Sequence, residues 1–354
     1  GRKVILNPGI IALISASLLV AAFAAYASFT GIRIIRSWDL SSGAPTQLNL
    51  ERKTYLVSVI FAYVSAFQLL SLFMFIYTAD HIHTLFVGAM CAAGSLNADG
   101  YGYPTLMLKG LNFVLCGLWL VVNYTDNRAV DYPLIRFKYK FLLIITGLLF
   151  VEAFFQISYF TGLRVDIITS CCGALFSEET KEIGGQIASL PSRPTMILFF
   201  LTLVLTIRIG IHFLVTGRGS RWFAGFATWA LILSVASLVS FISVYFYELP
   251  THHCPFCLLQ KDYHYIGYAL YLSLLPAGIC GAGVGVLERF STQTSLKRIV
   301  PVLQRRLCII SMSSYVVFMI ISLYPMIFSD FILESHLMRV PETIPWAMYW
   351  DVRA

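Results

Sequence analysis

The chain has 354 residues, of which 58% are hydrophobic and 12% are charged, and its formal net charge is +7. A soluble domain carries about 25% charged residues. This composition therefore excludes an ordinary water-soluble protein and predicts a polytopic membrane protein whose helices satisfy their own backbone groups in lipid. The sequence contains no basic patch interleaved with aromatic residues, so we expect a lipid bilayer as partner and no nucleic acid.

Eight apolar runs approach the length of about 20 residues that a helix needs to cross a bilayer. They predict an all-α fold, a polytopic bundle of about eight transmembrane spans. The first run continues into Arg33 and Arg36 and lacks a clear cleavage site, so we interpret it as a retained anchor. In chain order the runs cover residues 10–32, 55–78, 105–124, 140–162, 195–216, 222–247, 263–286 and 306–328.

The distribution of basic residues predicts the orientation of the spans. The amino-terminus and the stretches after spans 1, 3, 5 and 7 hold 17 of the 25 Lys and Arg residues, whereas residues 79–104 hold none. By the positive-inside rule we expect the amino-terminus and these stretches in the cytoplasm, and the carboxy-terminal tail, about 329–354, outside. The expected location is a bacterial inner membrane, with the outer segments in the periplasm.

Five of the eight cysteines fall in predicted outer segments, on the side where disulfides persist. Cys91 lies between spans 2 and 3, the vicinal pair Cys171-Cys172 lies between spans 4 and 5, and Cys254 and Cys257 precede span 7. A disulfide between chain neighbours strains the peptide, so Cys171 and Cys172 are expected to have different partners. One could pair with Cys91 while the other exchanges with Cys254. Alternatively, Cys91 and one neighbour simply staple two outer loops.

The segment from Cys254 to Cys257 is the strongest candidate for chemistry. If it opens span 7, with Pro255 at the first helical position, the helix N-terminus lowers the thiol pKa and favours a thiolate. Cys254 would then exchange with other disulfides, and Cys257, one turn deeper, would face a lipid-soluble electron acceptor. Lys261 follows Cys257 by four residues on the same helix face, and with His264 it forms the candidate cofactor-binding side.

Two alternatives stay open for this segment: a structural disulfide and a metal site. His252, His253, Cys254 and Cys257 could supply four zinc-type ligands. Adjacent histidines rarely both reach one ion, and no second C-x-x-C follows, so no metal site is assigned. No haem is predicted, because Leu258 stands where the histidine of a c-type motif would be.

The order of a span, a cysteine loop, two spans and a C-x-x-C resembles the four-helix core of the vitamin K epoxide reductase family and of the bacterial DsbB-type disulfide-forming membrane proteins. Residues 170–177 are similar to the serine-cysteine loop of the reductases, and residues 254–261 are similar to the DsbB pattern. The resemblance covers about residues 140–285. It divides the chain into three parts: flanking helices at 1–139, a four-helix redox core at 140–286, and the last span with its tail at 287–354.

The resemblance also implies roles for individual residues. Cys257 would be the thiol that faces a quinone, Cys254 its exchange partner, and Lys261 the basic residue on the quinone side. Cys171 or Cys172 would carry electrons from an outer-face thioredoxin-like or other cysteine-containing protein.

Glu152 and Arg208 are charged residues deep in predicted spans 4 and 5. At 1.5 Å per residue, antiparallel neighbours would bring them to a similar depth, and ionisable groups at that depth usually have a partner. We therefore predict an ion pair that fixes span 4 against span 5. The alternative is a proton path for quinone reduction that includes Gln156 and His212.

These observations predict a membrane thiol–disulfide oxidoreductase that exchanges electrons between outer-face protein thiols and a membrane quinone. One alternative is a non-catalytic membrane subunit of a larger electron-transfer or cytochrome-maturation complex, with structural disulfides. Another is a soft-metal transporter, although only Cys116 lies mid-membrane, so a path of thiols across the bilayer is poorly supplied.

Overall fold

The structure is a computed structural model that describes residues 6–39, 45–164, 169, 183–329, 331 and 333. Within this part of the chain, eight helices are long and apolar enough to cross a membrane, which confirms the all-α transmembrane bundle. Cys171, Cys172 and most of the carboxy-terminal tail lie outside the described residues. Spans 1 to 8 are Pro8–Ser37, Pro45–His81, Gly102–Asp126, Ile135–Gly162, Ser192–Thr216, Ser220–Tyr247, Ile266–Glu288 and Ile299–Phe328.

The ends of several spans follow directly from local sequence. Span 1 begins where Asn7 accepts a hydrogen bond from the backbone N–H of Gly9, with Pro8 at the first helical position. Span 5 ends at Gly217, whose φ of 70° is a left-handed conformation that glycine adopts without steric cost. Capping residues such as Asn7 and Gly217 therefore determine these helix ends, and apolar runs long enough to cross a bilayer form the helices between them.

The eight spans pack as two rings of four. Span 1 contacts spans 2 and 4, and span 3 contacts the same two neighbours. Spans 5 to 8 repeat this arrangement, with span 6 between spans 5 and 7 and span 8 closing the ring. Spans 3 and 7, the third helix of each ring, pack against each other and join the two halves.

This packing bears on the predicted division of the chain. The proposed redox core at 140–286 treats spans 4 to 7 as one bundle, whereas span 4 lies against spans 1 and 3 of the first ring. The boundaries at residues 139 and 286 stay a prediction.

The start of span 1 and the basic stretches after the odd-numbered spans do not lie on one face of the bundle, so the prediction that both face the cytoplasm cannot hold as a whole. Gly9, at the start of span 1, lies against Thr78 near the end of span 2. Gln156, near the end of span 4, donates a hydrogen bond to the carbonyl of Leu13 at 3.0 Å. The start of span 1 therefore shares a face with the ends of spans 2 and 4, opposite the basic stretches after the odd-numbered spans.

Candidate functional site

Three cysteine side chains from two loops meet at one face of the bundle. Cys91 comes from the loop between spans 2 and 3, and Cys254 and Cys257 come from the loop between spans 6 and 7. All three Sγ atoms lie within 4.8 Å of one another, and those of Cys91 and Cys254 are 3.6 Å apart. Cys91 and Cys254 are fully buried and Cys257 is 5% exposed. We call these three residues the cysteine cluster and this side of the bundle the cysteine face.

The two loops occupy equivalent positions in the two rings, because each precedes the third span of its ring. Cys91 is the N-cap of a short helix, Ala92–Asn97, that packs on the start of span 3. Gly102 opens that span, and a Cβ there would collide with the carbonyl of Leu96. Gly267, in the first turn of span 7, meets the backbone of Leu258 in the same way. The absence of a side chain at both glycines lets each cysteine loop lie close to its span.

Asp80, at the end of span 2, connects the two loops through one carboxylate oxygen. Its Oδ1 accepts a hydrogen bond from the backbone N–H of Ala92 at 3.1 Å and another from Nε2 of Gln260 at 3.1 Å. Gln260 also donates to the carbonyl of Met90 at 2.9 Å. Hydrogen bonds to a carboxylate are stronger than neutral ones, so Asp80 and Gln260 hold Cys91 and the Cys254 loop in register.

Side chains of spans 6 and 7 fix the backbone around Cys254. The hydroxyl of Tyr247 donates to the carbonyl of Cys254 at 2.5 Å, and the hydroxyl of Tyr271 donates to the carbonyl of Pro255 at 3.0 Å. Nδ1 of His253 lies 3.0 Å from the carbonyl of Val239. That carbonyl belongs to a π-helical turn, Leu238–Ile242, within span 6. Such turns occur frequently at functional sites, and here the turn receives the histidine that precedes Cys254.

The surroundings of the cluster are buried and aromatic. The ring of Tyr247 contacts those of His252 and Tyr263, each at a centroid distance of 4.5 Å. Burial lowers the pKa of His252, and negative charge at Cys91 opposes that effect. Burial, followed by charge at Cys257 and Asp262, raises the pKa of Tyr263. These groups are therefore neutral near pH 7, and a bare thiolate among them would be poorly solvated.

The expectation that Cys254 opens span 7 is wrong. Span 7 begins at Ile266, and Cys257–Leu259 is a separate 3-10 turn. The chain reverses at His264 and Tyr265, whose φ angles of 53° and 57° are left-handed. The docking of Gln260 onto Asp80 draws the loop towards Cys91 instead of continuing it as helix. A lowered thiol pKa from a helix N-terminus at Cys254 therefore has no structural basis.

The shared helix face of Cys257 and Lys261 is likewise absent. Lys261 is exposed and lies in its own turn, Lys261–Tyr263, whereas Cys257 is buried. His264 is exposed as well. The assignment of Lys261 and His264 to a cofactor stays a prediction, without the helix geometry on which it was based.

The structure brings Cys91 to Cys254, a meeting that the sequence analysis did not predict. From sequence, Cys171 or Cys172 is the expected exchange partner of Cys254, and both lie outside the described residues. The signal that could have identified Cys91 is its position, since both loops precede the third of four spans. That signal becomes visible only when the chain is divided into two equal halves.

The predicted ion pair between Glu152 and Arg208 is wrong. The Glu152 carboxylate pairs with Nζ of Lys109 on span 3 at 2.7 Å, and both side chains are buried. Asn112, also on span 3, donates to Glu152 at 2.6 Å, and Gln68 of span 2 donates to the same oxygen. Arg208 is exposed on span 5. Spans 4 and 5 belong to different rings, so chain neighbours are not packing neighbours here.

Lys109 is a partner of Glu152 that the sequence patterns described above do not predict. Its Nζ also donates to Ser71 of span 2 at 2.8 Å, and the resulting group of five residues is called the polar cluster below. Polar residues at spacing i, i+3 on spans 2 and 3 were the available signal, since such residues share one helix face. The polar cluster consists of Gln68, Ser71, Lys109, Asn112 and Glu152.

The suggested proton path through Gln156 and His212 is not formed by these side chains. Gln156 faces span 1, where Nε2 donates to Leu13 and, at 2.7 Å, to the hydroxyl of Ser17. His212 is exposed on span 5 in the other ring. Gln156 therefore joins spans 1 and 4 and does not lead towards His212.

No protein-family model, curated protein or solved structure matches this chain. The likeness to vitamin K epoxide reductases and DsbB-type proteins therefore rests on the short motifs quoted above and stays a prediction. The eight membrane-length helices are consistent with an integral membrane protein. The arrangement of the cysteine cluster is the observation from which its function must be argued.

Proposed function

We propose that the protein is a membrane thiol–disulfide oxidoreductase that exchanges electrons between protein thiols outside the cytoplasm and a membrane quinone. The observation that supports this proposal most directly is the group of three buried sulfurs, Cys91, Cys254 and Cys257, within 4.8 Å of one another. Thiol–disulfide exchange needs an attacking, a central and a leaving sulfur. Three neighbouring cysteines are the smallest set that supplies all three.

In the direction of thiol oxidation, a quinone takes two electrons and two protons from Cys254 and Cys257, which gives a quinol and a disulfide. The Cys91 thiolate then attacks Sγ of Cys254, so the bond to Cys257 breaks and Cys257 leaves as a thiolate. An incoming thiolate attacks Cys91 in turn and releases Cys254. A second incoming thiol completes the new disulfide, and the cluster is reduced again. Quinone-type substrates could be reduced by protein thiols through the same steps.

Burial of the cluster implies a shuttle between it and a protein partner. Cys91 and Cys254 are fully buried, so a folded partner cannot bring its own cysteine to them directly. We assign the shuttle role to Cys171 or Cys172, in agreement with the expectation from sequence. The partner would be an outer-face thioredoxin-like or other cysteine-containing protein.

The quinone and the membrane orientation are supported by location and charge. The cluster lies at the ends of membrane-length helices near the rings of Tyr247 and Tyr263, a location that supports a lipid-soluble quinone as the electron acceptor. The stretches after the odd-numbered spans carry most of the basic residues. The positive-inside rule then assigns the opposite face, which bears the cluster, to the periplasm of a bacterial inner membrane.

The test is anaerobic oxidation of the purified, pre-reduced protein by a short-chain quinone. Quinol formation is followed by absorbance, and remaining thiols are counted by maleimide mass tagging after unfolding. We expect two thiols lost per quinol formed, with Cys254→Ser inactive and Cys280→Ser, a thiol remote from the cluster, unchanged. Cysteines that no quinone oxidises and no reduced thioredoxin-like protein opens would instead identify structural disulfides in a non-catalytic membrane subunit.

A further inference from the structure

We propose that a groove between spans 6 and 7, on the face opposite the cysteine cluster, binds the headgroup and one acyl chain of an anionic phospholipid. Arg221, in the first turn of span 6, and Arg289, directly after span 7, line its mouth. The remaining lining residues fall within 224–232 and 282–286, and we call this site the basic groove. The inference does not depend on the proposed electron exchange, because no described cysteine lines the groove.

Small residues give the basic groove its shape. It is a cavity of about 940 Å³, within the range of about 300–1,000 Å³ that is typical of small-molecule sites. At its floor the two helices touch, because Gly285 has no side chain to collide with Cβ of Ala224. Gly225 lies beside this contact, and a Cβ built there would meet no atom within 4 Å. The space over Gly225 is therefore open for a ligand.

The length and exposure of the basic groove suit one acyl chain of a single leaflet. Trp229 and Ile232 are 50% and 58% exposed on the outside of a membrane-length helix, so the groove opens sideways towards lipid. Ile232 follows Arg221 by 11 residues, a distance of about 17 Å along the helix. One leaflet contributes about half of the hydrocarbon thickness of about 30 Å. An acyl chain whose headgroup binds Arg221 therefore extends along the groove to Ile232.

The charges at the mouth of the groove favour an anionic headgroup. Guanidinium groups bind phosphate oxygens in a planar, bidentate geometry, and basic pockets between membrane helices recognise anionic lipids. Among the described residues, neither Arg221 nor Arg289 forms an ion pair. The neighbouring acid, Glu288, does not line the groove, and its Oε2 accepts a hydrogen bond from Gln304 of span 8. The two positive charges therefore complement a net negative headgroup better than a zwitterionic one.

The experiment adds phosphatidylglycerol with a photoreactive diazirine in one acyl chain to the purified, full-length protein in detergent. Mass spectrometry locates the cross-links, and we expect labelling of the basic groove to saturate at a lower concentration than with the matching phosphatidylcholine. The double variant Arg221→Gln, Arg289→Gln should raise the half-saturating concentration about 25-fold, since each charge near the membrane surface contributes a factor of about five. The control, Arg218→Gln with Arg298→Gln, removes two exposed arginines outside the groove and should behave like the wild type.

A further variant, Gly225→Leu, fills the basic groove. The leucine side chain enters open space and leucine is the better helix former, so the fold should persist while labelling of the groove is lost. Equal labelling by the two lipids, an equal loss in both double variants, or undiminished labelling in Gly225→Leu would each overturn the proposal. Displacement of the lipid by inorganic phosphate at similar concentrations would identify a free-anion site and overturn it as well. None of these measurements uses quinone or thiols, so their outcome is independent of the assay that tests the proposed function.

Discussion

The cysteine cluster and the polar cluster are both buried, yet they are built in opposite ways. The polar cluster lies on three continuous helices, and its charged pair, Lys109 and Glu152, is satisfied by Gln68, Ser71 and Asn112. The cysteine cluster lies on two loops that come from different rings and are held by hydrogen bonds to their backbones. The first arrangement joins helices of one ring, and the second is the one for which we propose disulfide exchange.

This difference separates a group that holds the fold together from one that is suited to chemistry. Ionisable residues inside a membrane are functional candidates by default, and sequence reasoning treated Glu152 in that way. Its partners show that it joins spans 2, 3 and 4 of one ring. Among the residues that the structure describes, the site between the rings contains no such pair, and its residues come together only where the two halves meet.

The largest effect is expected when the cation of the polar cluster is removed and its carboxylate is kept. Lys109→Met leaves the Glu152 carboxylate buried without its cation, which should lower the free energy of unfolding by about 3–5 kcal/mol. Denaturation in mixed micelles measures this change. The control is the double variant Lys109→Met, Glu152→Gln, in which no charge is left unpaired. If the single and double variants are equally destabilised, the ion pair is not the reason for the loss.

The next effect tests whether Cys91 belongs to the reaction. Cys91→Ser removes the sulfur that exchanges with Cys254 in the proposed reaction, so thiol oxidation of a partner protein by quinone should fall by on the order of 100-fold or more, as for loss of a nucleophile. The free energy of unfolding should change little, because serine is nearly isosteric with cysteine. Cys116→Ser, in the first ring, is the matched control. Wild-type exchange rates in Cys91→Ser would remove Cys91 from the mechanism.

A smaller effect is expected at Asp80, which positions both loops. Asp80→Ala removes the acceptor shared by Ala92 and Gln260, so the average separation of Cys91 and Cys254 should increase. Two charge-assisted hydrogen bonds, each contributing about 1.5–3 kcal/mol, are lost, and the rate of disulfide exchange should fall by about tenfold. Asp80→Asn keeps Oδ1 as an acceptor and should recover most of the rate. Equal rates in both variants would argue against this positioning role.

The smallest effect concerns the tyrosine that braces the loop from span 7. Tyr271→Phe removes the hydrogen bond to the carbonyl of Pro255, which should cost about 1 kcal/mol of stability. The rate of disulfide exchange should fall by less than it does in the Asp80→Ala variant, because Tyr247 still donates a hydrogen bond to the neighbouring carbonyl of Cys254. Tyr268→Phe, one turn earlier on the helix, serves as the control. Thermal unfolding followed by size-exclusion chromatography measures both variants.

The positions of the helices could largely be predicted from the sequence, and the main boundary error lies at the cysteine face. Seven of the eight predicted runs lie wholly inside their helices, since a span must be long and apolar wherever it packs. The exception is the seventh, which starts three residues late at Ile266 because Gln260 binds Asp80, a contact between residues 180 positions apart. Local rules for helix starts do not include such a distant acceptor.

The sequence by itself predicted eight membrane-length helices. It also placed Cys91, Cys254 and Cys257 in loops that follow even-numbered spans, and therefore on the same face of the membrane. The thickness of the hydrocarbon layer and the need for backbone hydrogen bonds constrain each segment separately. A helical span can therefore be deduced from the sequence of that segment alone. Only the tertiary structure decided that Cys91 meets Cys254, that Glu152 pairs with Lys109, and that the chain closes as two rings. Those outcomes depend on which helices become neighbours, and neighbours in a membrane are chosen by packing and polar partners across the whole bundle.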